Sequence, residues 1–252
     1  EEEDPSFKMV KNGETNELVV YGLGDQHLDV VVNKLRNKYK VEVDLREPRI
    51  PYRETIRSKV TVEGKHKKQS GGAGQFGHVF ITFEPCDSED MVFEEKVFGG
   101  AVPRQYFPAV EQGLREAMVK GVLAGYKVVG VKAILIDGKY HEVDSKEIAF
   151  KMAARLAYKA GMPLAKPALL EPIVKISVTI PEEFTGTVIG DFNKRRGLIL
   201  GMELNEENEQ VVSAEVPMSE VMRYSTELRS FTQGIGTYTQ VFDRYEIGRA
   251  HV

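Results

Sequence analysis

From Ile173 to Tyr245 the hydrophobic period switches in the order strand, helix, strand, strand, helix, strand, and no other feature of this chain restricts its fold as tightly. Ile173 to Ile180 reads as a strand. Pro181 to Arg196 reads as a helix with Phe184, Val188, Ile189 and Phe192 inward and Gly197 at its end, and Leu198 to Leu204 as a second strand. After the polar turn Asn205 to Glu209 the plan repeats as strand Gln210 to Val216, helix Ser219 to Phe231 and strand Thr237 to Tyr245. A βαββαβ order of this length closes its own core as a four-stranded antiparallel sheet with two helices on one face.

The middle of the chain follows a different plan. Arg57 to Gln69 alternates as a long strand that turns basic at Lys65-His66-Lys67-Lys68. Gly71-Gly72-Ala73-Gly74-Gln75-Phe76-Gly77 supplies a flexible reversal, and His78 to Glu84 returns. Met91 to Val97 is a further strand, and after Gly99-Gly100 and Pro103 a helix is expected from about Tyr106 to Ala124, with Phe107, Val110, Leu114, Ala117, Met118 and Val122 inward. Lys127 to Asp137 is a strand with apolar residues on both faces. Asp144 with Glu147 has the spacing of a capping box, so a helix is expected to start there and to bury Ile148, Met152, Leu156 and Ala160 with Ala149, Ala153 and Ala157. Pro163, Pro167 and Pro172 then read as a stiff connector, with a boundary near Glu171.

The first 55 residues give less. Glu17 to Tyr21 is a short strand, and Asp25 follows as a cap. A helix places Leu28, Val31, Val32, Leu35 and Tyr39 on one face, and Val41 to Leu45 alternates as a strand. Strand, helix and strand cannot close a core alone, and the acidic stub ahead of them offers no partner. The segment is expected to be the remainder of a domain whose first strand and helix lie upstream.

Net charge is -4, but residues 57 to 171 carry 17 Lys/Arg against 14 Asp/Glu, so the middle segment alone is basic. Phosphate contacts follow local field rather than total charge, which keeps a polyanionic partner open. An acidic N-terminus unlike a secretory signal and the single cysteine, Cys86, point to a reducing, cytoplasmic setting, and no apolar run approaches the ~18 residues that span a bilayer.

These pieces, in this order, resemble the C-terminal three domains of bacterial elongation factor G, a translational GTPase that moves tRNA and mRNA through the ribosome. The resemblance is carried by Gly22-Leu23-Gly24-Asp25-Gln26-His27-Leu28, Pro51-Tyr52-Arg53-Glu54-Thr55-Ile56, Gln69 to His78, Leu123-Ala124-Gly125-Tyr126, Tyr140-His141-Glu142-Val143-Asp144-Ser145, Leu169-Leu170-Glu171-Pro172, Asp191 to Gly197 and Leu228 to Gly234. It implies an α+β fold in three small domains. Residues 1–55 would be a partial, ferredoxin-like domain III, 56–171 domain IV and 172–252 a ferredoxin-like βαββαβ domain V. For domain IV it also implies a left-handed βαβ crossover, where the general rule gives the opposite hand.

By the same resemblance the glycine-rich loop and the loop holding His141 form a tip that enters the ribosomal decoding site, and the two are expected to converge in space. The expected RNA-contacting tip is Gln69, Ser70, Gly71, Gly72, Gly74, Gln75, His141 and Asp144. His141 would act by hydrogen bonding and stacking on A-site tRNA and mRNA rather than by proton transfer. Candidate rRNA contacts are Lys65, Lys67 and Lys68 beside the tip, and Lys194, Arg195 and Arg196 in domain V, which the family sets against the sarcin-ricin loop and the stalk base. Ala73 and Ile235 stand where the family usually has Arg, removing a charge at each place.

Blander readings compete at each position. The glycine loop also suits a loose hairpin, His141 a solvated turn, the lysines an edge that deters strand pairing, and Lys194-Arg195-Arg196 the favourable cations of a helix C-terminus. A triad of Asp137, His141 and Ser145 lacks a Gly-x-Ser-x-Gly elbow, and His66, His78, Cys86 and His141 lack metal-ligand spacing, so neither a catalytic residue nor a metal is assigned. No Gly-x-x-x-x-Gly-Lys-Ser/Thr occurs: Gly64-Lys65 and Gly138-Lys139 are followed by His66 and Tyr140. These residues alone are expected not to hydrolyse GTP, and GTP and magnesium would belong to an upstream domain. The expected function is that of a monomeric C-terminal part of a ribosomal translocase. A recycling paralogue, a naturally truncated ribosome- or RNA-binding regulator, and an enzyme using the Asp137, His141 and Ser145 turn remain as alternatives.

Overall fold

The computed structural model describes residues 6–22, 24–69 and 74–248. It divides into two compact units, Glu1–Pro51 with Glu171–Glu246 and Tyr52–Leu170 with Ile247–Val252.

The chain opens with a hairpin of β1 (Lys8–Lys11) and β2 (Leu18–Tyr21), paired from Lys8↔Tyr21 to Lys11↔Leu18. The second strand therefore has a partner that periodicity missed, because four residues of Lys-Met-Val-Lys are too short to show a pattern. Asn12 closes the turn by accepting the amides of Glu14 and Thr15 on its side chain. Helix α1 (Asp25–Tyr39) follows, and its expected face is only half-buried at Leu28, Val31, Val32 and Leu35, while Tyr39 is exposed. Lys40 ends it in the left-handed region with φ 57°, and Val41 N–H donates to the Leu35 carbonyl. The strand expected over Val41 to Leu45 does not form. Among the described residues no strand lies beside it to complete a ladder, so its alternation has nothing to read it, and Val41 and Leu45 stay exposed.

The second unit holds β3 (Arg53–Ile56), β4 (Val60–Lys68), β5 (Gln75–Pro85), β6 (Val92–Glu95), α2 (Phe107–Met118), β7 (Val131–Lys139), α3 (Glu147–Gly161) and the start of β8 (Pro167–Ile180). Four strands form a sheet in the order β4-β5-β7-β6; β5 is antiparallel to both neighbours, and α2 links the parallel pair β6 and β7. β3 pairs antiparallel with Pro167 to Leu170 of β8, so the expected connector is strand. Pro167 is its first residue, and Pro172 falls between residues that pair with β3 and residues that pair elsewhere, both places where a missing N–H is tolerated.

The core of this unit joins Val79, Ile81, Phe83, Val131 and Leu135 of the sheet to Val110 and Leu114 of α2 and Phe150, Ala153 and Ala157 of α3. Of the expected face of α3, Ala149, Ala153 and Ala157 are buried, joined by Phe150, Ala154, Tyr158 and Gly161, and Met152 is half-buried, whereas Ile148, Leu156 and Ala160 are exposed, so the face is narrower and rotated from the expected one. Close approach is the cause. A Cβ at Gly64 would lie 2.0 Å from the Ala153 carbonyl oxygen, and one at Gly77 would lie 2.6 Å from that of Ala149. Only alanines fit at that distance. Gly77, read from sequence as part of a flexible loop, is a packing residue in β5. Gly64→Ala is expected to cost about 2–3 kcal/mol in chemical denaturation, because the collision is with backbone that cannot rotate away; a loss under 0.5 kcal/mol would contradict so close an approach.

In the remaining segment β8 continues from Ile173, followed by α4 (Thr185–Lys194), β9 (Leu198–Leu204), β10 (Gln210–Pro217), α5 (Tyr224–Phe231) and β11 (Thr237–Ile247). The strand order β11-β8-β10-β9, with β10 antiparallel to β8 and β9, is the ferredoxin-like βαββαβ sheet. Its core packs Ile176, Val178 and Ile180 with Val188, Phe192, Val212, Val216, Tyr224 and Leu228. Among the described residues no helix is long and apolar enough to cross a membrane.

Candidate nucleic-acid interface

The β4–β5 hairpin and the turn after β7 meet, as expected, although they are about 70 residues apart in sequence. Phe76 N–H donates to the Asp144 carbonyl at 2.9 Å, and Phe76 and Ser145 form a parallel bridge. The Ser145 hydroxyl donates to the Phe76 carbonyl at 2.9 Å and accepts the His141 amide at 2.9 Å, while Ser145 N–H donates to the His141 carbonyl. Gly74 N–H donates to Asp144 Oδ1 at 3.1 Å. Tyr106 adds a hydroxyl bond to the Ser145 carbonyl. The His141 ring stands edge-on to Phe76 with centroids 5.0 Å apart, held at one angle yet exposed to solvent.

Several expectations change in this geometry. Asp144 does not cap α3, whose N-cap is Lys146 without a side-chain bond; its carboxylate is taken by Gly74, where a Cβ would come within 2.8 Å of Asp144 Oδ1. Gly74 is therefore required by close approach rather than by flexibility. Gln75 is half-buried and bonds His66 Nε2 at 3.0 Å. The Ser145 hydroxyl is buried and committed to backbone, and Asp137 accepts the Gly138 amide, so the three residues do not assemble as a triad. His78 bonds Glu63 at 3.3 Å. Lys65, Lys67, Lys68 and Gln69 are exposed. Ser70, Gly71 and Gly72, with Ala73, lie outside the described residues.

The domain V cations are placed differently. Lys194 is exposed, but Arg195 donates to Asp191 at 2.7 Å, to Glu227 and to the Glu220 carbonyl, and lies 5.0 Å over the Tyr224 ring. Burial works against its charge, yet the carboxylates of Asp191 and Glu227 outweigh it and raise its pKa. Arg196, at φ 59°, makes a two-pronged bond to the Glu171 carboxylate at 2.9 and 3.0 Å and another to Glu220 at 3.1 Å. Both guanidinium groups are paired with carboxylates of the fold, Arg195 half-buried and Arg196 exposed, which argues against them as free phosphate contacts and leaves Lys194.

Three family models divide the chain. Elongation factor G domain III matches residues 1–47, elongation factor G domain IV matches 48–166, and the elongation factor G C-terminus matches 168–252. The chain belongs to the elongation factor G family. A crystal structure of a protein from Thermus thermophilus is similar over 99% of this chain, with 46% identity and a TM-score of 0.88, and the chain spans 37% of that protein's length. Elongation factor G domains III, IV and V are thus the parts present, and they mark the chain as part of a translation factor of this family.

One residue of domain IV that carries much of its geometry was not singled out by sequence reasoning. Glu54 is 1% exposed, and its carboxylate accepts four backbone amides: Leu123 at 2.9 Å on one oxygen, and Ala124, Gly125 and Tyr126 at 2.8, 2.9 and 3.1 Å on the other. Helix α2 accordingly stops at Met118, not near Ala124, because residues 123 to 126 wrap this carboxylate; Val122 is exposed. A Cβ at Gly121 would fall 2.1 Å from Glu54 Oε2. Burial, with the Glu54 charge second, pushes the Tyr158 phenol up from its usual range, and its hydroxyl donates to the Lys120 carbonyl. The only sequence signal was that both partners, Arg53-Glu54-Thr55 and Leu123-Ala124-Gly125-Tyr126, sit in family-like blocks.

Proposed function

We propose that this chain is the ribosome-engaging C-terminal part of a translocase, and that its paired tip loops enter the decoding site and displace tRNA and mRNA from the A site. The observation that supports this reading best is the fastening of the His141 turn to the hairpin foot, which holds an exposed imidazole rigidly beside the basic end of β4. A rigid aromatic donor and acceptor next to lysines suits RNA, where bases offer faces to stack on and phosphates attract the charge. The work of the tip is contact and wedging, with no bond made or broken by this chain. Gly64-Lys65 and Gly138-Lys139 lie inside β4 and β7 rather than in a loop before a helix, so no step is assigned to nucleotide. The setting would be cytoplasmic.

The lysines give the test. In the complete factor, replacing Lys65, Lys67 and Lys68 together by Ala is expected to weaken ribosome binding and to reduce the slope of log affinity against log salt by about two to three, close to one for each phosphate no longer neutralised. An unchanged slope would show that these side chains meet no phosphate.

A further inference from the structure

We propose that Phe98 is a third RNA contact at the tip, a stacking platform for an unpaired base; this rests on the reading above, that this end of domain IV meets RNA. Phe98 is 94% exposed, more than any other large apolar side chain among the described residues, and it is followed by Gly99 and Gly100 at φ 66° and 70°. Left-handed glycines in succession give the loop a defined turn that presents the ring outward. Because β6 runs parallel to β7, the loop leaving β6 emerges at the same end of the sheet as the turn carrying His141. The loop is fastened there. Lys96 N–H donates to the Leu135 carbonyl, Val102 is buried so close to Gly138 that a Cβ there would lie 2.4 Å from it, and Tyr106 bonds the Ser145 carbonyl and stacks on Phe150 at 4.6 Å.

The chemistry of the loop that carries the ring suits a nucleotide better than a protein side chain. The chain neighbours of Phe98, Val97 on one side and Gly99 and Gly100 on the other, line an open cleft with the apolar Val102 and Phe107 and with Arg104 and Glu95. Arg104 is exposed and offers a guanidinium to a phosphate, Glu95 offers an acceptor to an exocyclic amine, and the ring offers its face to a base. Of the neighbouring charges, Glu94 is held by Lys132 at 2.7 Å and Lys96 at 3.4 Å, so it presents little free negative charge towards a polyanion, and Lys139 at the end of β7 is exposed. A base covering the ring would remove its apolar surface from water.

The test uses the complete factor and purified ribosomes programmed with mRNA and tRNA. Phe98→p-benzoylphenylalanine, irradiated on the ribosome, is expected to crosslink to RNA. Phe98→Ala is expected to weaken ribosome binding about five- to a hundred-fold, the equivalent of roughly 1–3 kcal/mol for one stacked base, with Phe98→Trp restoring it and neither variant altering thermal unfolding. Crosslinking of position 98 to ribosomal protein alone would overturn the proposal. So would the absence of any crosslink at 98 when Gln69→p-benzoylphenylalanine crosslinks to RNA, an outcome that leaves the tip reading standing. Absence of RNA crosslinks at both positions would overturn the two together.

Discussion

Glu54→Ala is expected to lower the unfolding free energy of domain IV by about 3–5 kcal/mol, because it strips the partner from a set of buried donors. Four amides converge on this carboxylate within 3.1 Å at a site almost closed to water. Removing it orphans all four donors, at roughly 1–3 kcal/mol for each one left unsatisfied. The total falls short of a simple sum because water entering the truncated site recovers part of the loss. Glu54→Gln keeps the shape but turns one oxygen into an amide nitrogen that faces a donor, so an intermediate loss is expected. Denaturant unfolding of the 252-residue chain measures both; a change under about 1 kcal/mol for the Ala variant would mean the amides have other partners. Because loop 123–126 is wrapped on this carboxylate, the same variant is expected to raise amide hydrogen exchange there before elsewhere in the unit.

What sequence could reveal followed from how local each signal was. The ferredoxin-like domain was legible because each element carries its own period and each break its own Gly, Pro or polar turn. The long hairpin was legible through the alternation of Val60, Val62, Val79, Ile81 and Phe83. The failures share a cause: a partner distant in the chain outweighed a local rule. Asp144 has capping-box spacing, yet Gly74 takes its carboxylate from 70 residues away. Hydrophobicity widened the expected face of α3 from Ala149, Ala153 and Ala157 to Ile148 and Leu156, but glycines on β4 and β5 admit the sheet only against the alanines. Arg195 and Arg196 fit a helix-end rule and are instead bound by Glu227, Glu220 and Glu171, residues that spacing does not connect to them. Val41 to Leu45 alternates correctly and stays out of any sheet for want of a neighbour among the described residues.

In the tip the same lesson has a functional edge. The resemblance pointed to His141 and the glycine loop but not to what joins them. Ser145 supplies that link, since its hydroxyl serves both the Phe76 carbonyl and the His141 amide. The residue that looked most like a nucleophile is the fastener of the tip, which is why its chemistry is spent on backbone. An imidazole fixed in this way loses little freedom on meeting RNA, so more of each interaction is expressed as binding.

The central claim is that the tip acts on tRNA and mRNA and that His141 carries part of that action. It is tested most directly by His141→Ala in the complete factor, with tRNA–mRNA movement and ribosome-stimulated GTP hydrolysis followed on the same ribosomes. Removing one or two interactions worth roughly 1–3 kcal/mol each is expected to slow movement by about ten- to a few-hundred-fold at ~1.4 kcal/mol per decade. GTP hydrolysis is expected to be unchanged, because His141 is exposed and the substitution disturbs no buried packing of the domain. An unaltered rate of movement would contradict the account.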